Sequence, residues 1–365
     1  MSRLKKVVKW SLITLAGLVA LVAGFGWWFI SLLPSADTSS ENPKDTLAGS
    51  LPYLTNSPVE KRGKILAVVT STGSFEGTDK KTGYELTELS QAYYVFLANG
   101  FEMDIASPRG GEPPMVLDDD DMESYDYAFL NDTSAQRKLR STIPMDSVQL
   151  AVYEGIYFVG GKGVMFDFPD HEGIQHAVKL YHEQDKVIGA VCHGPAAFVN
   201  VKLADGTPFL KDKRVCSFTN REELFLIKNA RELLPFLLQD KLTERGAVFA
   251  EGALYLENVI VDGNLVTGQN PWSTWATAEA MVTQLGYEPK ERQKTASENA
   301  VRILAVYENK GYGDAKLVIE ELSSAEKQEI SRQLIAMHAL VAVMQGELKK
   351  GLGIIGLLRY TKSLS

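Results

Sequence analysis

Cysteine and histidine are scarce in this sequence of 365 residues, at two and five. Two cysteines exclude a disulfide scaffold, and no CxxC pair or Cys/His cluster offers a structural zinc site. His171, His176 and His182 are spaced five and six apart, share no helix face and read as surface residues, so no metal is expected. A basic stripe interleaved with aromatics is also missing. With a formal net charge of -8, this argues against nucleic-acid binding. No internal repeat is visible. What remains is an ordinarily globular composition, 45% hydrophobic and 23% charged.

Charge is absent from Trp10 to Leu33, about two dozen residues. As a helix, such a run crosses a hydrocarbon core of roughly 30 Å. Trp10 and the pair Trp27–Trp28 lie about 26 Å apart at helical rise, which suits an aromatic belt. A cleaved signal peptide would carry an apolar region of roughly 7–15 residues and then a small-x-small site. This run is longer, and "SLLPSAD" is a poor site. Without a polar face, the run does not read as a buried core helix. Residues 1–9 carry Arg3, Lys5, Lys6 and Lys9. We therefore read 10–33 as a signal anchor, with the N-terminus cytoplasmic and the rest of the chain extracytoplasmic. Residues 34–63, rich in Pro, Ser, Asn, Asp and Thr, read as a linker.

From 64 to 288 strands and helices alternate. "KILAVVTS", "FEMDIASP", "EGIYFVGG", "KVIGAVC" and "RVCSFT" read as strands. "GYELTELSQAYYVFLANG", residues 172–183, "ELLPFLLQDKLTERG" (with Pro235 near its start) and "WSTWATAEAMVTQLG" read as helices. "NVIVDGNLVTG" reads as a hairpin turning at Asp-Gly-Asn. The alternation implies an α/β fold with a mostly parallel sheet covered on both faces. "LDDDDMES" reads as a solvated acidic loop rather than a calcium site. Residues 289–365 have helical patterns without strands and read as a helical appendage. In it, Leu334, Ile335, His338, Ala339, Val341 and Ala342 form a packing face, with contact to a membrane surface as the alternative.

One cysteine stands in "AVCHGPAAFVN", between a buried strand and the first turns of a helix. Such an elbow lifts a nucleophile above the sheet and aims free backbone N–H groups at the reacting atom. A helix N-terminus there is expected to lower the thiol pKa from about 8.5. The competing reading is a buried structural cysteine. Cys216, in "RVCSFT", is expected in another strand of the same sheet, pointing into a helix–sheet layer. Both thiols are expected to be free.

"TGYELTELSQAYYVFLANGFEMDIASPRGGEPP", "YFVGGKGVMFDFPD", "VIGAVCHGPAAFVNVKLADG", "SFTNREE" and "DGNLVTGQNP" occur in an order that resembles the ThiJ/PfpI family. The likeness is to its chaperone and glyoxalase III-like branch, and it covers about Lys64 to Gly286. It implies a flavodoxin-like sheet with Cys192 as the elbow nucleophile. It also implies His193 beside it, with a backbone N–H for an oxyanion hole, and Glu88 as the acid that meets the sulfur. Glu223 matches the carboxylate that orients the histidine, with Glu222 one position away as the alternative. Gly160 and Gly161 match a glycine pair facing the substrate carbonyl. Lys162 stands where the family usually has histidine, and it can attract an anion or stabilise a thiolate.

The resemblance implies a cofactor-free enzyme that converts 2-oxoaldehydes such as methylglyoxal to 2-hydroxy acids, or carries out related deglycation. The alternatives are a holding chaperone or redox stress sensor, and a cysteine amidase or peptidase. The partners expected are a small carbonyl compound and the membrane, with a homodimer left open.

Overall fold

A computed structural model describes residues 3–34, 42–57, 59–117, 122–325 and 327–364. Residues 41–293 form one compact unit, and residues 1–40 with 294–365 form a second.

The first unit is built on a sheet of seven strands: β1 (Gly63–Val68), β2 (Phe101–Ser107), β3 (Ile143–Pro144), β4 (Gly155–Phe158), β5 (Val187–Val191), β6 (Val259–Asp262) and β7 (Leu265–Gly268). Their spatial order is β6-β7-β5-β4-β1-β2-β3, and every pairing is parallel except β6 with β7. This is the flavodoxin-like arrangement expected. The strands alternate between two cores. In β1, Ile65 and Ala67 face one, while Leu66 and Val68 face the other. The first core is covered by α1 (Leu86–Ala98) and α2 (Thr274–Gln284), through residues such as Leu89, Phe96, Trp275 and Met281. The second is covered by α3 (Glu172–Glu183), through Ile174, Val178 and Tyr181. The order reverses at β1, between β2 and β4, so loops at the carboxyl ends of β1, β4 and β5 open into one crevice.

Three expectations are corrected here. "RVCSFT" is not a strand of this sheet: Arg214–Val215 pairs with Val248–Phe249 in a separate two-stranded sheet. Cys216 follows it, and its N–H is taken by the Thr267 side chain rather than by a ladder carbonyl. "ELLPFLLQDKLTERG" is two helices, Ala230–Leu233 and Leu238–Glu244. Pro235 drives the preceding Leu234 to ψ 147°, outside the helical region. The linker expected over 34–63 is in large part attached to the unit. Leu51 and Tyr53 are buried in its core, and Asn131 donates to the carbonyls of Lys44 and Thr46. The attachment continues past 288, where Lys290 N donates to Asn99 Oδ1 and Arg292 stacks on Trp275 at 3.8 Å. The aspartate run at 118–121 lies outside the described residues.

The second unit holds, among the described residues, the helix Arg3–Ile30 and four C-terminal α-helices: Ala296–Lys310, Tyr312–Glu320, Arg332–Met344 and Leu348–Leu364. Arg3–Ile30 is long and apolar enough to cross a membrane, and Trp10, Leu18, Trp27 and Ile30 on it are exposed. In Arg332–Met344, the expected packing residues Leu334, Ile335, Ala339 and Ala342 are buried, while His338 and Val341 are half-buried.

Candidate active site

β5 runs straight into Cys192, where the backbone turns to φ +57°, a left-handed conformation that non-glycine residues adopt at a cost. Both of its peptide groups are tied down. Cys192 N–H donates to Gly268 O, and Cys192 O accepts from Phe218 N, each at 2.9 Å. Gly194–Phe198 then forms a single 3-10 turn rather than a longer α-helix. The elbow is therefore as expected, but the thiol does not stand clear of the sheet, since Cys192 is only 4% exposed. Cys216 is also buried and unbridged, and its thiol donates to Thr267 O at 3.0 Å.

Cys192 Sγ lies 3.2 Å from His193 Nδ1, and His193 Nε2 lies 2.6 Å from Glu223 Oε2. Glu223 is ionised. Burial opposes its charge, but the His193 imidazole and then the Lys162 ammonium hold its carboxyl below the usual range. Nε2 therefore carries the proton donated to Glu223, and Nδ1 is left as the acceptor facing the thiol. The Phe218 ring lies against the imidazole at 4.8 Å and fixes its plane.

The helix Asn220–Leu226 resolves which glutamate does this. Glu222 closes a capping box with Thr219, accepting from Thr219 N at 2.9 Å. Its Oε1 accepts from Tyr255 N, Gln269 Nε2 and Asn270 Nδ2. Glu222 is consumed by structure, and the next residue, one helical step round, reaches His193.

Glu88 sits in the first turn of α1, fully buried. Its Oε2 accepts from Gly160 N at 2.8 Å, and its carboxyl faces the Cys192 thiol. Gly160 has no room for a side chain, because a Cβ there would stand 2.5 Å from Glu88 Oε2 and 2.9 Å from Cys192 Cβ. Gly160 therefore serves the acid rather than a substrate carbonyl, which corrects half of the expectation for the glycine pair. Among the described residues, neither Gly161 N nor His193 N donates a hydrogen bond. A backbone donor without a protein acceptor can serve an oxyanion.

Burial pushes both the Glu88 carboxyl and the Cys192 thiol well up; Glu88 raises the thiol further, while the hydrogen bond from Cys192 lowers Glu88, and Lys162 lowers both groups. The expected lowering of the thiol pKa is therefore overturned. A five-residue turn is too short to offset full desolvation of the sulfur. Glu88 is thus held toward its protonated form and Cys192 toward the thiol. Lys162 Nζ lies 3.9 Å from Glu223 Oε1 and 5.6 Å from the Phe218 ring centroid.

The structure thus brings together Cys192, His193, Glu88, Glu223, Gly160, Gly161 and Lys162. Sequence reasoning missed Phe218 against the imidazole and Tyr157, whose hydroxyl donates to Glu88 O at 3.0 Å. Both are aromatic residues of apolar runs, and nothing local distinguishes them from core.

The chain is 28% identical over 234 residues to Glyoxalase 3 of Candida albicans, covering 60% of this chain and 96% of that one. It is 29% identical over 239 residues to the glutathione-independent glyoxalase HSP31 of Saccharomyces cerevisiae, covering 61% and 98%. The crystal structure of the Francisella tularensis Rapid Encystment Protein 24 kDa superimposes with a TM-score of 0.58 at 34% identity, over 61% of this chain and 99% of that one. Residues 80–284, more than half of the chain, match the model of the DJ-1/PfpI family, to which this chain belongs.

Proposed function

We propose that the protein is a glutathione-independent glyoxalase that uses Cys192 as its nucleophile. The observation carrying this reading is the Cys192–His193–Glu223 relay beside the buried acid Glu88. The site suits a small substrate, since the four side chains that would do the chemistry are almost wholly enclosed.

In the proposed reaction, the sulfur adds to the aldehyde carbon of methylglyoxal as the thiol proton passes to His193 Nδ1. Glu223 holds the imidazolium that results. The new oxyanion is received by the N–H groups of Gly161 and His193 and protonated to a hemithioacetal. His193, neutral again after protonating the oxyanion, removes the proton on that carbon to give an enediol and returns it to the neighbouring carbon, while Glu88 keeps its own proton and acts as a hydrogen-bond donor. This yields a thioester of lactate. Water cleaves it, releasing lactate and the thiol, so the net change is addition of one water to methylglyoxal. No organic cofactor enters these steps.

We also propose that Arg3–Ile30 anchors the protein in a membrane, with the catalytic unit on the extracytoplasmic side. The support is the uncharged run from Trp10 to Leu33 behind a basic flank.

The test is lactate formation from methylglyoxal by the full chain in detergent, without glutathione. Wild type is expected to turn over, with Cys192→Ala at least about 10³-fold slower. Turnover that requires glutathione or survives Cys192→Ala contradicts the reading.

A further inference from the structure

Lys162 differs from the other members of the site in one respect. Cys192, His193, Glu88 and Glu223 are buried, whereas the Lys162 side chain keeps 24% of its surface exposed. Among these five side chains it is the most exposed. Its ammonium makes no hydrogen bond among the described residues. The Glu223 oxygen it faces is 3.9 Å away, beyond hydrogen-bond reach, and the other Glu223 oxygen is held by His193. A strongly hydrated point charge with three N–H donors therefore borders the thiol with no acceptor in range. The negative groups that also act on the Cys192 sulfur are Glu88 and Glu85. Glu88 holds its proton, and Glu85 stands at the start of α1.

We propose that Lys162 is an anion-recognition residue, so that the preferred substrates are carbonyl compounds bearing a carboxylate or phosphate rather than neutral ones. This rests on the glyoxalase reading only where it names substrates. The cation's effect on what reaches Cys192 is independent of it. Glu85 and Glu223 oppose any anion, but they do so equally in every Lys162 variant, so a comparison between variants isolates the lysine.

Two alkylating agents of nearly equal size, iodoacetate and iodoacetamide, differ in charge and need no turnover. The full chain in detergent is alkylated by each, and Cys192 modification is followed by mass spectrometry. The ratio of the iodoacetate to the iodoacetamide rate is expected to fall about tenfold in Lys162→Met, as loss of one half-buried charge predicts, and to recover in Lys162→Arg. In wild type, which needs no variant to fold, added salt is expected to lower the same ratio. A ratio insensitive to both salt and Lys162→Met overturns the proposal. The second arm compares 4-carboxyphenylglyoxal with phenylglyoxal. Their kcat/KM ratio is expected to fall in Lys162→Met, and an unchanged ratio overturns the substrate assignment while leaving the glyoxalase reading intact. If the alkylation ratio responds but neither these aldehydes nor methylglyoxal are turned over, anion recognition stands and the glyoxalase reading fails.

Discussion

A thiol enclosed as Cys192 is has to be reached and activated from within the protein. Desolvation raises both it and Glu88, and the arrangement works only if Glu88 keeps its proton and acts as a donor. Glutamine mimics that state, since its carbonyl can accept from Gly160 N while its amide faces the sulfur. Glu88→Gln is therefore expected to keep kcat/KM within about tenfold of wild type, and Glu88→Ala to lose about 10²-fold or more. Equal loss in both would mean that the acid's own proton is transferred. The raised thiol also predicts that alkylation of Cys192 by iodoacetamide climbs steadily with pH through neutrality. A plateau below pH 7 would indicate a preformed thiolate. Cys216, whose thiol burial pushes up to about 12, should react only after unfolding.

At the scale of elements, Asp126 caps the helix Ser124–Asn131 from inside. It is fully buried, accepts from Ser90 Oγ and from Glu123 N at 2.7 Å, and burial pushes its carboxyl up to about 7. Its folded value exceeds the unfolded value of about 3.8. The native state therefore retains a proton that the unfolded chain loses, and stability drains away as pH rises from about 4 to 7. Asp126→Asn removes that titration. The difference in Tm between variant and wild type should move in the variant's favour by several degrees from pH 5 to pH 8. A constant difference would contradict the account.

Elements whose local signals agree were legible from sequence. The helix 172–183, the hairpin turning at Gly263–Asn264, and the elbow after β5 are all where the patterns put them. Two of the failures share a cause. In "RVCSFT" the apolar run is answered by the Thr267 side chain, and around Tyr53 a polar segment is held by Asn99 and Asn131. These are tertiary contacts from distant residues. The assignment of Glu223 over Glu222 came from the resemblance. Its physical reason, the capping box at Thr219, was present in the sequence as Thr-x-x-Glu. The raised thiol was not legible, because depth of burial has no local signature.

For the whole molecule, the proposed anchor makes one prediction about sidedness. Protease added to cells stripped of any outer barrier should remove the chain after Pro34, and protection of the catalytic unit would contradict the orientation. A mature chain starting near Asp37 would contradict the anchor itself. The central claim concerns the first unit: carbon bonds to the Cys192 sulfur during turnover. The most direct measurement is mass spectrometry of the full chain quenched with acid during turnover of methylglyoxal, followed by peptide mapping. The account predicts a gain of one methylglyoxal mass on the peptide containing Cys192, diminished in His193→Ala and absent in Cys192→Ser. An adduct on another residue, or lactate formed by Cys192→Ser at the wild-type rate, would contradict it.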